Sequence, residues 1–582
     1  MGGTVVSWSI KPCNSGSHTR PCTCSATRKL SPKLVIDQTE AAMVHRVAVI
    51  GAGASGLASV KACIEGGLEP VCFERGHDIG GVWNFRESLE PGRASVYRSL
   101  VANTSKEMMC FSDFPMPADY PNYLHHSQLL GYLRLYVQHF DLLRHIRFQT
   151  TVTRVAQRAG FPQSGQWDVV TVNASGEEEK HVFDAVLVCS GQFIYPSLPL
   201  SDFPGHEGFP GKCSHSWEYR DPEAYRGLRV LVVGIGNSGG DIAVEISRSA
   251  EMTFLSTRQG AWVISRMSHR GLPLDVAHIT RFKQILMKLL PQRLINWLLE
   301  RAVNQKYDHR FYGLQPKHRF LERTLLINDD LPGQLLKGRL LMKPDLKSFE
   351  GSGVIFEDGS VEDNIDAVIF CTGYNSGFSF LPPDLCEGPH GELALYKRLF
   401  PPSLLRPTLA ILGLFQAKGP IMPLVEMQGR WAARVFAGLS FLPPKKKMLE
   451  VIESDRKRNS KSHSCHKSSS LMVHYIPYMD FMAQQVGVRP NLLRLLLTDP
   501  VLWAKALFGP CTPYQYRLTG PGHWTGARQA ILTQWDRMAQ PFRTRVVPEA
   551  DSAPAYHFLP FLFVLGGITV ATVYGAKLKL FL

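Results

Sequence analysis

Two copies of one device predict an α/β chain made of two nested Rossmann-like domains. The device is a short apolar strand, a Gly-x-Gly-x-x-Gly turn and a helix, and it starts at Val47 and again at Arg229. A third feature, the uncharged stretch 558–576, adds a hydrophobic C-terminal membrane anchor to the fold class. Its length borders on the roughly 20 residues that span a bilayer.

In the first copy, residues 47–50 have the length and β-branching of a buried parallel strand. They run into Gly51, Gly53 and Gly56, with Ala52, Ala54 and Ser55 between them. In such a turn the first glycine permits the bend and the second lets a pyrophosphate approach the backbone. The third lets helix and strand pack closely. The helix N-terminus then offers unpaired N–H groups to phosphate. A second apolar run, 71–73, ends in Glu74. That acid stands about 20 residues past the glycines, where a carboxylate can hold a ribose hydroxyl pair. Strand, helix and terminal acid together make a dinucleotide site; the glycines alone would be a weak sign.

Composition sets the frame. The 582 residues are 45% hydrophobic and 20% charged, ordinary for globular protein. At about 100–200 residues per domain they make two to four domains. The net charge of +14 suits an anionic cofactor, a membrane surface or nucleic acid. No zinc-finger or RNP-like signature is present, so nucleic acid is not expected as a partner. Twelve cysteines, several set singly in apolar runs (Cys72, Cys189, Cys371), make no disulfide framework and point to a reducing compartment.

Residues 1–42 have no acid before Asp37 and no apolar core of a secretory signal; they read as a disordered N-terminal extension. The first part of the first domain spans 43–195. Within it, Gly80 and Gly81 precede Val82 and Trp83, a pattern that suits close approach to a flat ligand or an ordinary turn with a core Trp. Ala102, Asn103 and Thr104 follow in a polar stretch. A loop Asn there can orient a ligand or simply make a turn. Strands are expected at 167–173 and 185–189. Pro196, Pro199 and Pro204 mark a crossover into a second domain, 196–371, inserted into the first.

There 229–233 is a strand followed by Gly234, Gly236 and Gly239, with Asn237, Ser238, Gly240 and Asp241 opening the helix. The next strand, 252–255, has no terminal acid, and Arg258 stands near its place. A carboxylate would repel a 2′-phosphate, whereas a guanidinium binds it with paired donors. The first site therefore suits a cofactor with a free ribose diol, such as FAD, and the second suits NADPH. A plain surface arginine is the alternative.

Residues 279–302 are basic and amphipathic, fit for a membrane face or for packing on the protein's own core. The run 328–332 reads as a turn or helix cap, 354–360 as a hairpin, and 367–370 as a buried strand. The second part of the first domain is 372–547. His463, Cys465 and His466 lack a fourth ligand, so no metal is expected. A linker and the anchor, 548–582, close the chain. Pro560, Gly566 and Gly567 leave open whether it spans the bilayer or lies in one leaflet.

From about Met43 onward the chain resembles the vertebrate flavin-containing monooxygenases (dimethylaniline monooxygenases), above all their fifth form. The likeness rests on the first glycine turn, Gly80-Gly-Val-Trp83, Lys106-Glu-Met-Met-Cys-Phe111, Gly234-Ile-Gly-Asn-Ser-Gly-Gly-Asp241, Asn328-Asp-Asp-Leu-Pro332 and Phe508-Gly-Pro-Cys-Thr-Pro-Tyr514. Most telling is Phe209-x-Gly211-x-x-x-His215-x-x-x-Tyr219, a motif that the related Baeyer–Villiger enzymes typically end in Trp. Phe370-Cys-Thr-Gly-Tyr374 departs mildly from the family's Phe-Ala-Thr-Gly-Tyr.

The resemblance implies FAD and NADPH as cofactors, and O2 with a small molecule as substrates. NADPH would reduce the flavin, which would take up O2 as a C4a-hydroperoxide. That species would oxygenate a soft nitrogen or sulfur nucleophile, so the cofactor carries the chemistry. By the same resemblance Asn103 is the catalytic side chain, facing flavin and nicotinamide. Ala52, Ala54, Ser55, Val82, Trp83, Ala102 and Thr104 join the flavin site; Ser238 to Asp241 and Arg258 bind NADP, and Gln416 lines the same cleft. An endoplasmic reticulum membrane location with a cytosolic catalytic part is implied as well. Two rivals stay open. The fifth form is associated with Baeyer–Villiger oxidation of ketones, and a catalytically silent membrane-bound nucleotide-binding scaffold would carry the same turns. A disulfide reductase would need Cys-x-x-Cys, which does not occur. The oligomeric state is left open, a homo-oligomer included.

Overall fold

The computed structural model describes residues 44–94, 96–375, 377–385, 394–460 and 471–545. The extension 1–42 and the expected anchor within 548–582 lie outside the described residues, as do His463, Cys465 and His466. Among the described residues no helix is long and apolar enough to cross a membrane.

The first apolar run forms β1 (Arg46–Ile50), followed by helix α1 (Ala54–Glu65), β2 (Glu69–Phe73), β3 (Ile146–Arg147) and β4 (Ala185–Val188). The strands are parallel, with β1 between β2 and β4. Val47 and Val49 share a core with α1 and Trp431. Ala48 and Ile50 share another with Trp167, Val169 and Phe183, which belong to an antiparallel three-stranded sheet over 151–183. Burial on both faces explains why the run shows no polar alternation.

The chain then builds a second parallel sheet: β5 (Lys212–His215), β6 (Arg229–Val233), β7 (Met252–Ser256), β8 (Leu340–Lys343) and β9 (Ala367–Phe370). Helix α2 (Asn237–Ile246) follows β6. The spatial order is β8-β7-β6-β9-β5. Its second face is covered, as in the first sheet, by three antiparallel strands, here over 346–362. The chain returns to the first sheet as β10 (Leu409–Ile411), beside β4. The two crossings run together: Tyr195–Pro196 pairs antiparallel with Tyr374–Asn375. In both sheets the strand order reverses at the first strand of the unit, and such a reversal leaves a ligand-sized crevice at the carboxyl ends of the strands.

The remaining described residues are mostly helical. Met422–Phe436 packs on α1 and on Tyr475–Val486. The amphipathic stretch 279–302 forms two helices, Arg281–Leu289 and Gln292–Asn304, broken at Pro291.

Candidate cofactor-binding site

The turn after β1 is tight because Gly51 takes φ +101°. A Cβ there would lie 2.8 Å from the carbonyl oxygen of Cys189, just past β4. Gly56 presses on the same turn, where a Cβ would lie 1.8 Å from Gly51 O. Helix α1 thus begins at the crevice, with Gly53 as N-cap and Ala54 and Ser55 in its first turn. It carries no side-chain cap, so its first N–H groups remain for an anionic ligand.

A second glycine turn closes over the first. Gly80 N donates to Ala52 O (3.0 Å), and a Cβ on Gly81 would lie 3.1 Å from Gly53 Cα. Val82 and Trp83 follow in a single 3-10 turn, Gly81–Trp83, with Trp83 packed on the core. Glu74 is buried at the end of β2. Its Oε2 accepts from Ala52 N (2.8 Å) and its Oε1 from Gly76 N (2.7 Å). Each oxygen keeps a lone pair for a further donor such as a ribose hydroxyl.

The second cradle repeats the floor. Gly234 takes φ +106°, and a Cβ would lie 2.8 Å from Cys371 O. At Gly239 a Cβ would lie 1.9 Å from Gly234 O. Gly236 is the N-cap of α2, which also has no side-chain cap. Around Gly236, however, a Cβ would meet nothing within 4 Å. Ser238 is exposed in the first turn. Asn237 Oδ1 accepts from Ile327 N (3.0 Å), and Gly240 leaves space for Leu326. The carboxylate of Asp241, its pKa raised by burial, is taken by Tyr97 OH (2.6 Å) and Asn328 Nδ2 (2.7 Å).

Arg258 is exposed just beyond β7. Its charge reaches two neighbours. The Arg323 guanidinium is held down by burial and then by Arg258. The Asp345 carboxyl is raised by burial, with Arg258 opposing. Two guanidiniums within each other's field suit a dianionic phosphate. Arg323 escaped sequence reasoning because no strand or helix end marks its position.

The segment 97–105 joins the two cradles. Tyr97 bonds to Asp241 of α2. Further along, Asn103 Oδ1 is buried with no hydrogen-bond partner. Such an atom is unfavourable unless a ligand satisfies it. Ala102 is buried in the same core as Ala52, and Thr104 Oγ1 donates to Met109 Sδ (2.9 Å). Gln416 lies on a short strand, Gln416–Lys418, at the same seam. Its neighbour Phe415 O accepts from Gln192 Nε2 (3.0 Å), and Lys418 Nζ donates to Leu321 O. Burial pulls the Lys418 ammonium down to about 8.

The motif over 209–219 also sits at the seam. His215 Nδ1 accepts from Trp217 N (3.0 Å), so Nε2 carries the hydrogen donated to Gly373 O (3.0 Å). Trp217 Nε1 donates to Arg93 O (2.6 Å), and Tyr219 OH to Glu245 Oε2 of α2 (3.0 Å). The predicted residues therefore fall into two glycine cradles and one seam. Tyr97, Arg323 and Lys418 are additions that only the folded chain reveals.

Residues 44–575 match the model of the family described as flavin-binding monooxygenase-like. The chain is 51% identical over 507 residues to human flavin-containing monooxygenase 5, covering 87% of this chain and 95% of that protein. It is 49% identical over 524 residues to mouse dimethylaniline monooxygenase [N-oxide-forming] 2, covering 90% and 98%. Among solved structures, cyclohexanone monooxygenase from Rhodococcus sp. Phi1 bound to NADP+ superposes with a TM-score of 0.56 at 17% identity, covering 76% of this chain and 97% of that one. Two matched floors, a seam with a partnerless amide oxygen and a family match along nearly the whole chain lead to one conclusion: the chain belongs to the flavin-binding monooxygenase-like family and is a flavin-binding monooxygenase.

Proposed function

We propose that this enzyme oxygenates soft nitrogen or sulfur atoms of small molecules, with FAD in the first cradle and NADPH in the second. The observation that carries the reading is Asn103, whose amide oxygen is buried and partnerless on the segment between the cradles. The residues fit both cofactors. The first floor admits only backbone where a Cβ would collide, and Glu74 stands ready for the ribose. Arg258 with Arg323 suits a 2′-phosphate. Bound flavin supplies the hydride acceptor and the activation of O2. The chain's own work is to hold the two rings together, give Asn103 a hydrogen-bond partner and exclude water. Gln416, at the seam, lines the nicotinamide side. The corresponding domain limits are 43–195 with 372–547 for FAD, and 196–371 for NADPH.

The test is product analysis with a thioether and a ketone under NADPH and O2. A sulfoxide as main product supports the reading. An ester from the ketone would transfer it to Baeyer–Villiger chemistry, which Tyr219 at the end of the motif disfavours.

The membrane is the second partner, at the endoplasmic reticulum with the catalytic part in the cytosol. Support comes from helices Arg281–Leu289 and Gln292–Asn304, which expose Leu289 (74%), Trp297 (50%) and Leu298 (46%) beside Lys288, Arg293 and Arg301. An apolar face rimmed with cations suits an anionic bilayer surface. Deleting 558–582 should release the enzyme from membranes if the C-terminal segment is the main anchor. Continued sedimentation would give that role to these two helices.

A further inference from the structure

The loop that carries Asn103 has a brace outside both cradles. The short helix Lys106–Met109 follows Asn103 closely. Glu107 on that helix is only 2% exposed. Its two carboxylate oxygens accept from Nε and Nη2 of Arg537 at 3.0 and 2.6 Å. Tyr514 OH donates to the same Oε2 at 3.1 Å. Arg537 lies 430 positions further along the chain, in helix Ala527–Ala539. That helix aims it: Nη1 donates to Thr533 Oγ1 (2.6 Å) and Nη2 to Ala530 O (2.8 Å). Between Asn103 and Glu107, at the N-cap of the same helix, Ser105 N donates to Asp275 Oδ2 (2.7 Å).

We propose that Glu107 and Arg537 are positioning residues for the monooxygenase reaction: their buried ion pair fixes the seat of Asn103 and makes helix Ala527–Ala539 part of the frame of the site. The proposal rests on the reading of Asn103 given above. A guanidinium that donates through two nitrogens to one carboxylate fixes angle as well as distance, which an ammonium cannot reproduce. Removing it leaves a buried carboxylate to find another partner, and the helix that follows Asn103 must shift to supply one.

Arg537→Lys in the full-length enzyme is the deciding variant, with Arg537→Gln as the harsher one. If the Gln variant does not fold, the Lys variant decides alone. The Lys variant should bind FAD fully and keep its apparent KM for NADPH within about twofold. Product formed per NADPH consumed should fall about tenfold, with hydrogen peroxide rising in step, since small misplacements of a working group have large effects. In flavin-free protein, hydrogen exchange at amides 104–109 should rise about tenfold while α1 is unchanged. Unchanged exchange at 104–109 overturns the brace. Faster exchange with undiminished product yield overturns its role in the reaction. Asn103→Ala, run in parallel, tells the two readings apart: if it also keeps full yield, the reading of Asn103 has failed and not the brace.

Discussion

At the first cradle Gly53 faces Gly81, and a buried Glu74 holds the turn through Ala52 N; at the second, Gly236 faces open space and Arg258 is exposed to solvent. The floors beneath are the same, with φ of +101° and +106° at the leading glycines and virtual contacts of 1.8 and 1.9 Å at the trailing ones. One sequence device therefore builds one floor, and what is placed above it decides how the nucleotide is treated. Walls on two sides slow dissociation more than they speed association, so they lengthen residence. An open cradle with exposed cations favours rapid exchange, steered by charge. On the function proposed above, the first cradle would keep its flavin and the second would exchange NADPH, which fits that difference.

The largest effects should come from the floors. Gly56→Ala puts a methyl group into Gly51 O, so the purified protein should be colourless, with FAD content below about a tenth of the wild type. Gly239→Ala commits the same offence in the second cradle. It should stay yellow yet be bleached by NADPH at least about a hundredfold more slowly. If both variants remain yellow and reducible, the shared floor is not what holds either nucleotide. Next come the walls. Gly81→Ala should weaken FAD binding about tenfold in a flavin-release titration and leave the KM for NADPH alone, because no counterpart of that wall exists over Gly236.

Arg258→Ala should raise the KM for NADPH about tenfold and that for NADH less than about twofold. Arg323→Ala should do the same about threefold. Equal effects on both nucleotides would remove the 2′-phosphate from the second cradle.

The smallest effect lies at the seam. Burial lowers the Lys418 pKa to about 8, so the unfolded chain binds more protons between that pH and the ordinary lysine range. Stability then gains from this group as pH rises through the window. Lys418→Met removes the gain, and its Tm-versus-pH curve above pH 8 should be flatter by about 1–2 °C.

What could be read in the sequence is what neighbouring residues decide. Val47 to Ile50 carry their own burial signal, and Gly56 answers to Gly51 within the same turn. Glu74 ends the next strand of the same unit. What could not be read depends on distant partners. Asp241 was expected at the nucleotide by family resemblance, yet its carboxylate turns to Tyr97, 144 positions away, and to Asn328. The buried helix Met422–Phe436 is hard to read in the sequence because part of its inner face, at Glu426 and Arg430, is ionic. Arg517 is 1% exposed, with Glu426 at 3.0 Å and Asp113 at 2.9 Å, and Lys61 meets Asp113 at 2.6 Å. Charges that neutralise one another inside a core look, in one dimension, like surface. The basic stretch 279–302 left two placements open, and its helices bury little beyond Arg281, Ile295 and Asn296.

Glu74 has one more implication. Its carboxylate tethers Ala52 N and Gly76 N from within the polypeptide, so part of the receptacle's shape is set by the chain's own hydrogen bonds. Preorganisation of that kind lowers the entropic penalty of docking. A deflavinated preparation should thus refill readily, because the tether on the ribose side is made by the chain itself.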